Sequence, residues 1–354
     1  MQQIIKIEVL PFSIPCTPFV ISLGTLLEAP NVLVKIHTNQ GIVGYGEGSP
    51  FPMIASESQA SSIAIGNDFA KILINKNALD IGACMEALHQ FVPHCYTTKS
   101  AFDMALYDIA AQAANQPLYQ YLGGTNQTFI TDETIVINTP QAMALKAKAL
   151  VAKGIQYIKI KLGKGTPQTD IDRVKAIHAA VPAHVQLRLD ANQAWSVTDA
   201  IFILNQLQHC NVQYCEQPIK YYDFSGLKKV KLNSPIKIMA DESCFTSLDA
   251  QKLIAQQACD YINIKFAKCG GILEATKIAN LAAAANMPCM LGGMLESKLA
   301  LTANAHFASA HPIIKFFDLD FCFPHTHNPV IGGVTFTNNY TIHLPQANGI
   351  GATV

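Results

Sequence analysis

From about residue 130 onward, short apolar runs alternate with amphipathic stretches. Eight apolar runs end 24 to 29 residues apart, and the stretches between them repeat apolar residues at helical spacing, most clearly over residues 169–181, 197–208, 247–257 and 272–286. This alternation is typical of a parallel sheet covered by helices, and eight repeats favour a closed barrel. Periodicity alone leaves an open sheet as an alternative. The predicted strand ends are Thr134, Lys161, Asp190, Glu216, Asp241, Lys265, Gly292 and Asp318.

The first 125 residues show a different pattern. Three runs, at residues 4–10, 31–38 and 42–47, predict strands, and helical spacing dominates from about residue 59. Between the first two strands, residues 11–30 read as a long and unusually apolar loop, and residues 51–58 read as a second loop. Long apolar loops are typical of lids over a binding site.

The change of pattern predicts three parts of the chain. We expect an N-terminal α+β domain over residues 1–125 and a barrel over residues 126–320. A final strand is expected at residues 338–344, and it could return to the N-terminal unit. The C-terminal segment, residues 321–354, is therefore predicted to rejoin the first domain.

Charged residues make up 14% of the chain, yet they end nearly every predicted barrel strand. The carboxyl ends of barrel strands meet at one mouth, so these side chains should lie together. One such residue would be an ordinary helix cap or turn residue, but turn preferences do not explain the repetition. Three converging carboxylates, Asp190, Glu216 and Asp241, cannot all ionise without a cation between them. Hard oxygen ligands favour Mg²⁺ over zinc.

Lys159 and Lys161 share one face of a short strand, because residues along a strand alternate faces. Taken alone, such a pair is equally typical of a solvated edge strand. Lys268 follows the sixth strand, so Lys161 and Lys268 flank the three carboxylate strands. A metal between two lysines suits removal of a proton next to a carboxylate. One lysine would take the proton and the other would return it to the opposite face.

Composition excludes several classes of partner. The formal net charge is zero and no basic run occurs, which argues against nucleic acid. No apolar stretch reaches about 18 residues, and the N-terminus lacks a signal-peptide pattern, so we expect a cytoplasmic protein without a membrane partner. The ten cysteines form no C-x-x-C pair, which favours free buried thiols. None of these features selects between a monomer and a homo-oligomer.

Five motifs together resemble the muconate-lactonizing-enzyme subgroup of the enolase superfamily. They are Ile158-Lys-Ile-Lys-Leu-Gly, Asp190-Ala-Asn-Gln-Ala-Trp, Glu216-Gln-Pro, Ala240-Asp-Glu-Ser and Ile262-Asn-Ile-Lys-Phe-Ala-Lys-Cys-Gly-Gly. The resemblance covers essentially the whole chain. It implies a modified TIM barrel of the (β/α)7β type with an N-terminal α+β capping domain. It also implies Mg²⁺ bound by Asp190, Glu216 and Asp241, with Lys161 and Lys268 as the two catalytic bases.

Asp318-Leu-Asp320 at the eighth strand is similar to the Asp-x-Asp pair with which dipeptide epimerases bind the terminal ammonium of their substrate. The resemblance implies a 1,1-proton transfer at the α-carbon of the C-terminal residue of an L-Ala-L-X dipeptide, through an enediolate. Lys159 would contact the metal-bound carboxylate. The remaining residues implied to line the dipeptide pocket are Thr134, Gly293, Met294 and Glu296.

The first lid departs from one branch of that group. Members that act on Ala-Glu carry an arginine in this lid, and Gly24 stands at the matching position here. Residues 11–30 contain no lysine and no arginine. We therefore expect the epimerised residue X to be apolar or uncharged.

Other reactions on the same scaffold remain alternatives. N-acylamino-acid racemisation, o-succinylbenzoate synthesis and muconate cycloisomerisation would use the same metal and lysines. Asp318 and Asp320 argue against anionic or acylated substrates, because such substrates would be repelled or would leave both carboxylates unpaired. A non-catalytic binding protein is the remote alternative. It would be expected to have lost at least one of the five metal and base positions, and all five are present.

Overall fold

The computed structural model describes residues 1–354, and its N-terminal part is an antiparallel sheet packed on helices. The three strands pair in chain order as β1 (Ile4–Ile21), β2 (Gly24–Thr38) and β3 (Val43–Gly48). Five helices follow: α1 (Pro52–Ala55), α2 (Gln59–Leu73), α3 (Ile81–Phe91), α4 (Tyr96–Ala113) and α5 (Leu118–Tyr121). Strand β3 lies directly against α4, where a Cβ at Gly46 would be 1.8 Å from the carbonyl oxygen of Ala101. Glycine is therefore required for this packing.

Strands β1 and β2 form one long hairpin, so the prediction of a loop over residues 11–30 was wrong. Pairing runs from Ile4 opposite Thr38 to Ile21 opposite Gly24, with irregularities near both ends. The backbone groups of this segment therefore bond across the hairpin, and its apolar residues do not have to sit in a loop. The hairpin tip reaches the barrel, where Val20 O accepts a hydrogen bond from Ile137 N at 3.1 Å. A lid is present, but it is built from strands.

A short strand, β4 (Thr128–Ile130), precedes the barrel sheet, whose eight strands are parallel and follow chain order. They are β5 (Glu133–Ile135), β6 (Tyr157–Lys161), β7 (Gln186–Asp190), β8 (Val212–Glu216), β9 (Ile238–Ala240), β10 (Tyr261–Ile264), β11 (Cys289–Gly292) and β12 (Ile314–Asp318). Every predicted strand end lies within one residue of the observed end. The unbroken chain order of the eight parallel strands excludes a doubly wound open sheet, in which the strand order reverses, and supports the barrel.

Helices separate consecutive barrel strands, which gives the predicted (β/α)7β order. They are α6 (Pro140–Ala152), α7 (Pro167–Ala180), α8 (Val197–Gln206), α9 (Phe224–Leu232), α10 (Ser247–Gln256), α11 (Phe266–Cys269), α12 (Ile272–Ala284) and α13 (Lys298–Ala310). Hydrogen bonds connect the segments that begin and end the barrel: Leu319 N donates to Thr131 Oγ1 at 2.8 Å, and Thr134 N donates to Asp320 Oδ2 at 2.6 Å.

Below its mouth the barrel interior contains an apolar cluster. Tyr214, Met239, Met290 and Phe316 form a buried cluster there, while the large core of the protein lies between the strands and the surrounding helices. All ten cysteines are free thiols and eight of them are buried. None of the helices combines the length and the apolar character needed to span a membrane.

Four short strands end the chain: β13 (Ile331–Gly332), β14 (Thr335–Phe336), β15 (Thr341–His343) and β16 (Ala352–Thr353). The strand expected at residues 338–344 is β15, and it pairs with β4 rather than with the N-terminal sheet. The last residues do contact the N-terminal part, where Lys35 Nζ donates to Val354 O at 2.9 Å and Ile350 N donates to Asp108 Oδ1 at 2.7 Å. The exact domain boundaries stay predictions.

Candidate active site

Lys159 on β6 points into the barrel mouth and lies among three carboxylates. Its Nζ is 2.6 Å from Asp318 Oδ2, 2.7 Å from Glu216 Oε2 and 3.3 Å from Asp190 Oδ2. Burial opposes the charged form of Lys159, but Asp318, Glu216 and Asp190 outweigh it and raise the pKa well above its ordinary value. Lys159 is therefore a permanent cation at the centre of the mouth.

Lys161 ends β6 beside Asp190 of β7, its partner in the strand register. Its Nζ donates to Asp190 Oδ2 at 2.6 Å and to Asn192 Oδ1 at 3.3 Å. The side chain is 9% exposed and lines the pocket above the mouth. Lys161 thus combines a fixed position with access to a bound molecule, which a base requires.

Lys268 lies on α11, and its ammonium group is outside the pocket lining. Its Nζ donates to the carbonyl oxygens of Asp241, Cys244 and Asn263 at 2.5, 3.1 and 3.0 Å, and it is 2.6 Å from Asp241 Oδ1. Lys265 does line the pocket, with its Nζ 2.9 Å from Asp241 Oδ2. Burial opposes the charge on Lys265, but Asp241 and other carboxylates raise its pKa above the ordinary value.

The three predicted metal ligands end or follow adjacent strands and are fully buried. Burial and then the neighbouring Asp190 raise the pKa of Glu216 to about 8, while two lysines outweigh burial and lower the pKa of Asp241. Glu216 Oε2 lies 2.7 Å from the ammonium group of Lys159, and Asp241 Oδ1 lies 2.6 Å from that of Lys268. Buried carboxylate oxygens that repel one another, and that already attract ammonium groups, fit a divalent ion such as Mg²⁺.

A different trio of carboxylates is packed more tightly. One oxygen from each of Asp132, Asp318 and Asp320 lies within 4.8 Å of the other two, whereas the predicted metal ligands form no such group. Burial and then Asp318 raise the pKa of Asp320 to about 7. Asp132 Oδ2 accepts from Arg188 Nη1 at 2.8 Å, and Asp132 Oδ1 accepts no hydrogen bond. This corner of the mouth favours a bound cation.

The pocket above the mouth has a charged floor and an apolar roof. The charged residues of the floor are Lys159, Lys161, Lys265, Asp318 and Asp320. The apolar residues of the roof and walls are Phe19, Ile21, Leu26, Pro30, Pro50, Phe51, Pro52, Ile54, Met294, Leu295 and Phe321. Thr134 and Gly293 also line the pocket, as predicted. The hairpin contributes no charged residue to this lining.

Glu296 is not among the lining residues. Its Oε2 accepts a hydrogen bond from Met294 N at 2.5 Å, so the side chain folds back on its own loop. Burial and then the nearby Glu47 raise the pKa of Glu296 to about 8. In this structure Glu296 shapes the loop that carries Met294, and a contact between Glu296 and the substrate stays a prediction.

Two family models together match most of the chain. Residues 4–123 match the mandelate racemase / muconate lactonizing enzyme N-terminal domain, and residues 142–354 match the enolase C-terminal domain-like model. The chain belongs to the mandelate racemase / muconate lactonizing enzyme family of the enolase superfamily. The resemblance stated from the motifs is therefore confirmed, as is the modified barrel with its capping domain.

Similar members of this family are dipeptide epimerases. The chain is 42% identical over 336 residues to a D-Ala-D/L-Ala epimerase from Cytophaga hutchinsonii, covering 95% of this chain and 91% of that protein. It is 41% identical over 334 residues to a hydrophobic dipeptide epimerase from Enterococcus faecalis, covering 94% of each. A dipeptide epimerase structure from Cytophaga hutchinsonii, complexed with Mg and D-Ala-L-Val, matches with a TM-score of 0.97 and 40% identity, covering 100% of this chain and 96% of that chain.

Sequence reasoning missed three buried polar residues of this family member. Asn263 Nδ2 donates to Glu216 Oε1 at 2.6 Å, and Arg188 pairs with Asp132 beneath the mouth. Each of the three missed residues lies two positions before a predicted strand end. In an extended chain, residues two positions apart lie on the same face. The pairs are Asp132 with Thr134, Arg188 with Asp190, and Asn263 with Lys265. This two-residue spacing is the signal that could have found them.

Proposed function

We propose that this chain is a Mg²⁺-dependent dipeptide epimerase that acts on L-Ala-L-X-type dipeptides with an apolar or uncharged X. The observation that carries the proposal is the pocket with lysines and an aspartate pair on its floor and a mainly apolar roof that carries no charged residue. Such a pocket suits a small zwitterion whose charges face the barrel and whose side chain faces the lid.

Asp190, Glu216 and Asp241 would hold the metal ion. When bound, Mg²⁺ would neutralise the substrate carboxylate and the negative charge that develops as the α-proton leaves. Lys159 would support the same carboxylate, because its ammonium group already lies among Glu216, Asp190 and Asp318. These groups make the α-proton acidic enough for a lysine to remove.

Lys161 and Lys268 would be the two bases. Lys161 lines the pocket and can take or return the α-proton on its side. The ammonium group of Lys268 donates hydrogen bonds to backbone carbonyls. To act as a base, the Lys268 side chain must release these bonds and turn into the pocket. With one lysine on each face, a proton removed by one can be replaced by the other, which inverts the α-carbon.

Asp318 and Asp320 would receive the terminal ammonium of the dipeptide. Both line the pocket and both are nearly fully buried, so a cation there is held in a low-dielectric site. An N-acylated substrate has no terminal ammonium group for these carboxylates to bind, which disfavours racemisation of acylated amino acids. The apolar roof from Phe19, Ile21 and Leu26 would contact the side chains of the dipeptide and disfavour an acidic X.

The experiment that tests this proposal is hydrogen exchange in D₂O. The protein with Mg²⁺ is incubated with a panel of L-Ala-L-X dipeptides, and α-deuterium is read by mass spectrometry. We expect exchange and epimerisation when X is apolar or uncharged. With X = Glu, both rates should be lower by about tenfold or more. Rapid exchange with X = Glu would overturn the specificity. No exchange with any dipeptide would overturn the epimerase proposal and would direct the next assay to succinylated amino acids.

A further inference from the structure

The backbone that carries Lys268 is fastened to the capping domain rather than to the barrel alone. Thr97, in the first turn of α4, is fully buried, and its Oγ1 donates to the carbonyl oxygen of Ala267 at 2.8 Å. Ala267 immediately precedes Lys268 on the short helix α11. A buried hydrogen bond of this kind fixes the position of the peptide unit from which the lysine side chain extends.

A second attachment lies just beyond Lys268. Asp103 Oδ2, also on α4, accepts hydrogen bonds from Ile272 N and Leu273 N at the start of α12. Gly271, between Lys268 and Ile272, passes very close to Asp103. A Cβ at Gly271, where φ is +115°, would lie 2.3 Å from Asp103 Oδ2. The segment around Lys268 is therefore held by α4 on both sides.

Aromatic packing adds a third contact, between α4 and the loop that precedes α10. The ring of Tyr96, the first residue of α4, lies 6.2 Å from the ring of Phe245. Lys268 Nζ lies 5.9 Å from the centroid of the Phe245 ring. Side chains in the first turn of α4 thus contact both the backbone next to Lys268 and the aromatic ring near its ammonium group.

The start of α4 is in turn held by the second lid loop. Glu57 is 5% exposed, and its carboxylate accepts from Thr97 N at 2.8 Å, from Thr98 N at 3.0 Å and from Thr98 Oγ1 at 2.6 Å. Glu57 closely follows α1, whose Pro52 and Ile54 form part of the pocket roof. A continuous chain of contacts therefore runs from the roof through Glu57 and Thr97 to Ala267 O.

Lys161 has no comparable attachment. It lies within β6, and its Nζ is bonded to Asp190 and Asn192, which both belong to the barrel. On this side the capping domain contacts the barrel through the hairpin tip: Ser22 Oγ lies 3.3 Å from the carbonyl oxygens of Ala191 and Asn192, and Val20 O accepts a hydrogen bond from Ile137 N. Neither contact is to the residues next to Lys161 in the chain. The two lysines are thus positioned by different parts of the fold.

We propose that Glu57 and Thr97 are positioning residues for Lys268, so that the capping domain sets proton transfer on one face of the substrate and the barrel sets it on the other. This inference rests on the proposed function, because it requires Lys161 and Lys268 to act on opposite faces. Displacing a reacting group by a fraction of an ångström to 1 Å is enough to slow a reaction by about tenfold to a hundredfold.

The test compares the two epimers of one dipeptide in D₂O. Lys268→Ala and Lys161→Ala first identify which epimer each lysine deprotonates. In Thr97→Val, which keeps the shape but removes the donor, we expect at least about tenfold slower α-exchange of the Lys268-facing epimer. The Lys161-facing epimer should keep its exchange rate while its conversion to the other epimer slows. Thr97→Ser should restore both rates, and Glu57→Gln should reproduce the Thr97→Val pattern.

Thr302→Val is the matched control, because Thr302 Oγ1 is also buried and hydrogen-bonded but lies on α13, where it bonds Lys298 O and Val334 N. It should leave the ratio of the two exchange rates unchanged. Equal slowing of both epimers, or no change, in both Thr97→Val and Glu57→Gln would overturn the positioning role while leaving the epimerase proposal intact. Absence of exchange in the unmodified protein would instead overturn the epimerase proposal, and this inference with it.

Discussion

Lys159 Nζ on β6 and Asp318 Oδ2 on β12 lie 2.6 Å apart across the barrel mouth. The motif resemblance implies different partners for these residues: the metal-bound carboxylate for Lys159 and the substrate ammonium for Asp318. A dipeptide carries both groups. Its carboxylate can replace Asp318 as the partner of Lys159, and its ammonium group can replace Lys159 as the partner of Asp318. The mouth is therefore paired internally in a way that mirrors the charges of a zwitterionic ligand.

The first prediction concerns the aspartate pair. Asp318→Asn and Asp320→Asn should each lower kcat/KM for dipeptides by about 10- to 100-fold, because a hydrogen bond to a charged group contributes about 1.5–3 kcal/mol. Steady-state kinetics with the free dipeptide and its N-acetyl derivative measures the effect. The N-acetyl derivative, a poor substrate from the start, should be changed much less. An equal loss on both substrates would contradict an ammonium site.

The second prediction concerns the two bases. Lys161→Ala and Lys268→Ala should each reduce epimerisation by about 10²- to 10⁴-fold, the usual contribution of a positioned acid or base. Each variant should still exchange the α-proton of one epimer, and the two variants should differ in which one. Chiral chromatography and deuterium incorporation separate these outcomes. If either variant epimerises at the normal rate, the assignment of two bases is wrong.

The third prediction concerns the metal ligands and is read without activity. Mg²⁺ at a hundred times its Kd should stabilise the folded protein by about 2.7 kcal/mol, because it binds the folded chain alone. Thermal or denaturant unfolding with and without Mg²⁺ measures the gain. Asp190→Asn and Glu216→Gln should lose most of it. Asp320→Asn, which changes the trio of Asp132, Asp318 and Asp320, should keep the stabilisation by Mg²⁺. If Asp320→Asn loses the stabilisation and the other two variants keep it, the ion binds at this trio.

The fourth prediction concerns stability at low pH. His306 is buried, with its Nδ1 accepting from Tyr119 N at 3.1 Å and its Nε2 3.1 Å from Ile350 O, and burial lowers its pKa to about 4. Above about pH 6.5 the ring is neutral in both states. As the pH falls from about 6.5 toward 4, only the unfolded chain binds the proton, so stability is lost.

The expected loss from His306 is about 2 kcal/mol between pH 7.5 and pH 5. Denaturant titrations at the two pH values measure it. The His306→Gln variant is less stable throughout but should lose about 2 kcal/mol less on acidification. If both proteins lose the same amount, His306 is not the group responsible.

The sequence by itself determined the barrel strands, the charged residues at their ends and the shared face of Lys159 and Lys161. These features are local: an apolar run that ends in Asp190 or Glu216 is visible without knowing what packs on it. The same local rules failed at residues 11–30. The apolar residues of this segment lack clear strand boundaries, which suggested a loop. The pairing of β1 with β2 in the structure shows that the segment is a hairpin.

Only the tertiary structure decided which charges meet. Asp132 and Arg188 are 56 positions apart, and Thr97 and Ala267 are 170 positions apart. No local pattern links such residues, because their contact depends on how the barrel closes and how the capping domain packs on it. The same reason applies to Lys268. Its position after the sixth strand was visible in the sequence, but the bonds from its ammonium group to the carbonyl oxygens of Asp241, just after β9, and Asn263, in β10, were not. Periodicity encodes the elements, and the packing of those elements selects the partners of buried polar groups.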